Sequence, residues 1–118
     1  MLYVEDDEQT RANMSSYLRL KYNTVLEAKD GVEAYELYLN EQPDLMLVDI
    51  ELPNMNGLEL VEKIRDKNNT IPIIITSAYS DKQKLLAAIK LNLVDYLTKP
   101  ISRHRLKDVL ETATTRIV

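Results

Sequence analysis

Five side chains suited to chemistry stand in this 118-residue chain where apolar runs stop. Leu2-Tyr3-Val4 runs into Glu5-Asp6-Asp7, and Leu45 to Val48 runs into Asp49. Ile71 to Ile75 gives way to Thr76-Ser77, and Val94 to Thr98 gives way to Lys99-Pro100. Two like charges ~4 Å apart repel by about 4 kcal/mol at an effective dielectric of roughly 20. Glu5, Asp6 and Asp49 could therefore share one crevice only with a cation. Hard oxygen donors, few in number and leaving open positions, suit Mg²⁺, which keeps some water and shares a substrate's phosphate oxygens. Thr76 adds a hydroxyl and Lys99 an ammonium. Together they supply what a phosphoryl group needs: a nucleophilic carboxylate in Asp49, a metal, a donor and a cation. Taken singly, each residue has a plainer role. An acid at a strand end caps the next helix, a threonine there makes a turn, and a lysine before proline is solvated.

That set meets only if the chain folds to bring the run ends together. Leu45–Val48 and Ile71–Ile75 are apolar throughout, as in strands buried on both faces of a parallel sheet. Leu2–Val4, Thr24-Val25-Leu26 and Val94–Thr98 complete five strands. The first helix is expected over 8–20, with Met14, Tyr17 and Leu18 on one face. The second follows the Asp30-Gly31 turn, marked by Val32, Ala34, Leu37 and Tyr38. The third opens at Gly57 and turns Leu60, Val61 and Ile64 inward. The fourth is capped by Ser80 or Asp81 and runs through Leu91 with Leu85, Leu86 and Ile89 inward. The fifth is capped by Ser102, with Leu106, Val109, Leu110 and Ala113 facing the core. Strict alternation of strand and helix, five times, argues an α/β parallel sheet covered on both faces with right-handed crossovers. The expected architecture is a flavodoxin-like (βα)5 doubly wound sheet of order 2-1-3-4-5, whose switch point lies between strands one and three at their carboxyl ends. A (β/α)8 barrel would need roughly twice the length.

The composition removes other classes. A net charge of −4 and a pI near 5.0 disfavour direct nucleic-acid binding by this domain. With no cysteine there is no disulfide framework and no thiol chemistry. The start of the sequence lacks the basic and apolar segments of a signal peptide, and no apolar run approaches ~18 residues. The expectation is one cytoplasmic domain over residues 1–118, off the membrane. His104, the single histidine, reads as a solvated residue in the first turn of the fifth helix.

Glu5-Asp6, Asp49 followed by Pro53 and Gly57, Thr76, and Tyr96 with Lys99-Pro100 together resemble the receiver domain of bacterial two-component response regulators, of the chemotaxis-Y-like kind. The resemblance spans essentially the whole chain. It implies that Asp49 is the phosphoacceptor and that Asp6 ligates Mg²⁺ directly, with Glu5 acting mainly through water. The backbone carbonyl of Glu51 would be a further ligand. Thr76 would bind one phosphoryl oxygen and Lys99 another, and Tyr96 would be the aromatic switch residue. Asp7 falls outside the ligand set. The implied partners are a sensor histidine kinase or histidine phosphotransfer protein, and an output domain or downstream protein that the sequence does not identify. A phosphorylation-dependent dimer is left open: Asp95 matches the acid of one dimer mode, but Val109 stands where its arginine would be. The domain would catalyse its own phosphorylation and dephosphorylation without being a conventional turnover enzyme. A phosphatase of the haloacid-dehalogenase type would use Glu51 as a second acid, but needs a cap domain for which there is no room. A non-phosphorylated interaction module would not need this set of site residues.

Overall fold

A computed structural model describes residues 1–78 and 82–117, with Lys82 described by its backbone alone. The caps expected at Ser80 or Asp81 lie outside the described residues. The elements follow in strict alternation: β1 (Leu2–Val4), α1 (Glu8–Leu18), β2 (Leu26–Ala28), α2 (Gly31–Glu41), β3 (Met46–Asp49), α3 (Gly57–Lys67), β4 (Ile73–Ser77), α4 (Lys82–Ile89), β5 (Asp95–Thr98) and α5 (Arg103–Thr115). The strands form one parallel sheet in the order β2-β1-β3-β4-β5. No helix among the described residues is long and apolar enough to cross a membrane.

The unbroken apolar strands are explained by a core on each side of the sheet. Leu2, Val4, Met46, Val48, Ile73 and Ile75 pack with Ala34 of α2 and Leu60, Val61 and Ile64 of α3. Their strand neighbours Tyr3, Leu47, Ile74 and Leu97 pack on the other side with Leu18 of α1 and Leu106, Val109, Leu110 and Ala113 of α5. Burial of each such side chain contributes ~1.5–3 kcal/mol, so this two-sided interior holds the helices more firmly than their own propensity would. Four helices start on capping side chains. Asp7 accepts from Thr10 N at 2.8 Å, Asp30 from Glu33 N at 2.8 Å, Asn56 from Glu59 N at 3.0 Å and Ser102 from Arg105 N at 3.0 Å.

Several boundaries and faces differ from the sequence expectation. β2 begins at Leu26, the register partner of Leu2, while the Thr24 carbonyl accepts from the amino terminus at 2.9 Å. α1 stops at Leu18, leaving Leu20 exposed. Val32, at the start of α2, faces solvent while Ala34 faces the core. The largest correction is α4. Leu85, Leu86 and Ile89 are 41%, 53% and 66% exposed, and Ala88 and Leu91 take the inward positions. Apolar spacing shows that a helix has an apolar face; it does not show that the same chain covers it.

Two details fix the ends of helices, one beside the site and one at the opposite edge of the sheet. Gly57 lies so close to the end of β3 that a Cβ there would run into the Asp49 carbonyl oxygen, and its N–H donates to Ile50 O at 2.9 Å. Beyond α4, the carbonyls of Leu91 and Asn92 accept from Arg65 of α3 at 2.6 Å and 2.9 Å, and Arg65 also donates to Asn68 O at the end of its own helix at 3.0 Å. Asn92 adopts φ 56° and donates from its side chain to Asn69 O at 2.8 Å.

Candidate functional site at the carboxyl edge of the sheet

β1 and β3 are neighbours with Val4 opposite Val48, so the residues that follow, Glu5 and Asp49, emerge side by side. Both carboxylates are buried, each residue 2% exposed, while Asp6 is exposed at the rim. One oxygen from each of Glu5, Asp6 and Asp49 lies within 4.8 Å of the others. Thr76 is the register partner of Asp49 across β3–β4 and is also buried. Asp49 and Thr76 follow Leu47 and Ile74 on the α1–α5 side of the sheet.

Lys99, immediately after β5, reaches back into this group. Its Nζ is 2.9 Å from Asp49 Oδ2 and 2.9 Å from Glu5 Oε1. A cavity of about 510 Å³ opens on the same side, lined by Tyr3, Glu5, Met14, Thr76, Lys99 and Ile101 among others. Glu51 N donates to Asp49 Oδ1 at 3.2 Å. The Glu51 carboxylate accepts from Ser77 Oγ at 2.8 Å and from Ala78 N at 3.5 Å.

Burial, then the nearby Glu51 carboxylate, push the Asp49 carboxyl up to about 8, outweighing the pull of Lys99. Burial would raise Glu51 too, but its contacts with Asp49 and Ser77 hold it below its usual value. The two neighbouring carboxyls are thus driven in opposite directions, Asp49 towards its protonated form and Glu51 towards its charged one. Burial and the adjacent Glu5 raise Asp6. Burial alone would lower the Lys99 ammonium, yet its bonds to Asp49 and Glu5 hold it above the normal range. Four carboxyl groups against one ammonium make an edge suited to a further cation. All the donors are hard oxygens and Asp6 faces solvent, which fits Mg²⁺ with its retained waters.

Glu5, Asp6, Asp49, Thr76 and Lys99 thus meet at one edge, as their strand-end positions lead one to expect. Tyr96 lies apart from Thr76. Its register partner is Ile75, and its ring packs with the α2–α3 core, whereas Leu97, opposite Thr76, packs with the other layer. The Tyr96 hydroxyl is buried with no hydrogen-bond partner among the described residues. Asp7 is the α1 cap. His104 is solvated, as expected, with its side chain 88% exposed. Asp95 pairs within the chain with Arg105 Nη2 at 3.0 Å, and Val109 is buried in the core. The sequence carries no signal for Arg11, whose guanidinium bonds to the main-chain carbonyls of Glu5 and Asp6.

Residues 1–111 match the family model of the response regulator receiver domain. The chain belongs to that family, and so is a phosphorylation-dependent switch of two-component signalling. A chemotaxis protein CheY homolog of Campylobacter jejuni is 38% identical over 115 residues, covering 93% of this chain and 88% of that protein. A cyclic di-GMP phosphodiesterase of Thermotoga maritima is 37% identical over 107 residues, 91% of this chain but 28% of its own length. The chain spans about a third of the length of several curated relatives it matches. Among solved structures, the N-terminal domain of an uncharacterized Wolinella succinogenes protein superposes with a TM-score of 0.90 at 32% identity, covering 97% of this chain and 92% of that one.

Proposed function

We propose that Asp49 is the residue that accepts the phosphoryl group, from a phosphohistidine presented by a sensor histidine kinase or a histidine phosphotransfer protein. The observation that carries this reading is the setting of the Asp49 carboxylate. It ends β3, touches Lys99 Nζ at 2.9 Å and stands in register with Thr76. In the transfer, an Asp49 oxygen attacks phosphorus as the P–N bond to histidine breaks. The bonding pair returns to the imidazole, and an acyl phosphate forms. Lys99 neutralises one phosphoryl oxygen, and the Thr76 hydroxyl donates to another. Water later attacks the same phosphorus and restores the carboxylate. The domain so catalyses its own modification and its reversal, and is not a conventional turnover enzyme.

Glu5, Asp6 and Asp49, with the Glu51 backbone carbonyl, would hold Mg²⁺. When bound, the ion would neutralise charge on the transferring phosphoryl group. Asp6, the exposed member, is suited to direct ligation, and buried Glu5 to a contact through water.

Tyr96 is the proposed switch residue. A buried hydroxyl without a partner costs ~1–3 kcal/mol, which biases the ring towards any arrangement that gives the hydroxyl a partner. Redirection of Lys99 and Thr76 to a phosphoryl group would alter the packing beside β5 and favour such a rearrangement. The exposed strip of Leu85, Leu86 and Ile89 on α4 would belong to the surface that an output domain or downstream protein reads, or that pairs two phosphorylated copies. The proposed domain covers residues 1–118, and within it Ala113 and Ile117 still pack against the core. With partners of this class it would act in the cytoplasm.

Intact mass after incubation with acetyl phosphate and MgCl₂ tests the central assignment. The wild-type chain should gain one phosphoryl group and Asp49→Asn none, because the isosteric amide is not nucleophilic. Equal labelling of the variant would move the acceptor elsewhere.

A further inference from the structure

β1 ends at Val4, and the two residues after it break the strand pattern. In a strand, successive side chains point to opposite faces. Continued, that alternation would send the Glu5 and Asp6 carboxylates to opposite sides of the sheet. Instead an oxygen of each lies within 4.8 Å of the other and of Asp49. Their main-chain carbonyls also converge. Both accept from one nitrogen, Arg11 Nη1, at 2.9 Å for Glu5 O and 3.4 Å for Asp6 O. From the other side the Asp7 N–H donates to Glu5 Oε2 at 3.2 Å.

Arg11 is itself well fixed. It lies in the first turn of α1, where its own N–H donates to Asp7 O at 2.8 Å. Its Nε faces Glu27 Oε1 of β2 at 3.5 Å, and its side chain is 20% exposed. The same Glu27 carboxylate holds Arg19 Nη2 at 2.7 Å. Arg11 therefore braces the turn after β1 against both α1 and β2.

We infer that Arg11 is a positioning residue for the acidic cluster: it holds the Glu5–Asp6 turn in the conformation that brings both carboxylates to Asp49, and thereby sets the affinity for a divalent cation. The inference rests on the Mg²⁺ reading above. Charge alone predicts the reverse effect. A guanidinium beside a cation site repels the cation, so deleting it would tighten binding. The sign of the change in affinity separates positioning from simple electrostatics.

The test is titration of the full chain with MgCl₂ alone, followed by NMR, for wild type, Arg11→Ala and Arg11→Lys, with melting temperatures recorded beside it. Groups that orient metal ligands from outside typically shift affinity ~10–100-fold, and Arg11→Ala should bind Mg²⁺ about 10-fold more weakly. A merely structural role would lower the melting temperature and leave the affinity of the folded protein unmoved. Unchanged or tighter binding by folded Arg11→Ala overturns the inference. If Arg11→Ala does not fold, Arg11→Lys decides, because it keeps the charge and loses the fork: weaker binding supports positioning, and equal binding overturns it. A wild-type chain that binds no Mg²⁺ would remove the metal reading itself, an outcome distinct from binding that is indifferent to Arg11.

Discussion

Lys99 Nζ lies 2.9 Å from Asp49 Oδ2, and an equal distance away on its other side is Glu5 Oε1. One ammonium from the end of β5 thus joins carboxylates from the ends of β3 and β1. Removing one partner of a fully buried pair costs ~3–5 kcal/mol. The Lys99 side chain is 28% exposed, and Asp49 can take up a proton, so Lys99→Met should cost less, about 1–3 kcal/mol. Thermal melts would show it, with the loss greater above about pH 8, where the Asp49 carboxyl is charged. MgCl₂ should recover part of it. A melting temperature equal to wild type at every pH would show that the lysine contributes no net stability.

The raised Asp49 carboxyl gives a definite sign to pH dependence. Its ordinary value is 3.8, and burial beside Glu51 pushes it up to about 8. Between those limits the folded chain binds more protons at this group than the unfolded chain does. Its contribution to stability is therefore largest below the lower limit and declines as pH rises through the window. Mg²⁺ must displace that proton, so its affinity should increase from about pH 6 to about pH 8, and saturating Mg²⁺ should flatten the decline. Calorimetric titration at several pH values checks both. An affinity independent of pH would contradict the raised Asp49 carboxyl.

Tyr96→Phe deletes a buried hydroxyl that has no partner among the described residues. The unphosphorylated domain should be as stable as wild type, or more stable by up to ~1–3 kcal/mol. The same variant should blunt the response to beryllofluoride, a phosphoryl mimic, in the NMR signals of α4 and β5. Thr76→Ala should still be phosphorylated, more slowly, but should not transmit occupancy to the Tyr96 ring. Ring signals that stay fixed in the wild-type domain, with the site demonstrably occupied, would end this route for the switch.

Gly57→Ala should destabilise the domain by about 1–3 kcal/mol, because the new methyl meets main-chain atoms of Asp49 and Ile50, not a yielding side chain. Glu62→Ala, on the exposed side of the same helix, should stay within ~0.5 kcal/mol. Parallel urea unfolding of the two variants makes the comparison. Similar midpoints would mean that α3 can move away from β3 at little cost.

The legible parts of this molecule are those in which one residue type meets one constraint. Met46–Val48 and Ile73–Ile75 had to be two-sided strands, because each neighbour in the run feeds a different core layer. Glu5, Asp49, Thr76 and Lys99 each close such a run, so their shared edge could be read from the sequence. Where a contact depends on which of two surfaces is free, the sequence is silent. The stripe of Leu85, Leu86 and Ile89 has helical spacing but lies outward, with Ala88 and Leu91 beneath it. Contacts with main-chain atoms are equally hidden, as with Arg11 on the Glu5 and Asp6 carbonyls. The inward packing of Tyr96 depends on register, which no periodicity in a four-residue strand reveals.

The two carbonyls of Leu91 and Asn92 gathered by Arg65 turn the far end of α4 into a fulcrum. Leu91 and Asn92 are lashed to α3, so a push delivered at the sheet edge cannot slide the helix along its axis without breaking that lashing. It can tilt it. Over the eight residues of Lys82–Ile89 the arm is about 12 Å long, and a tilt of roughly ten degrees would carry its amino end about 2 Å. Displacements near Asp49 would thus be largest at the amino end of the helix and die away towards Leu91.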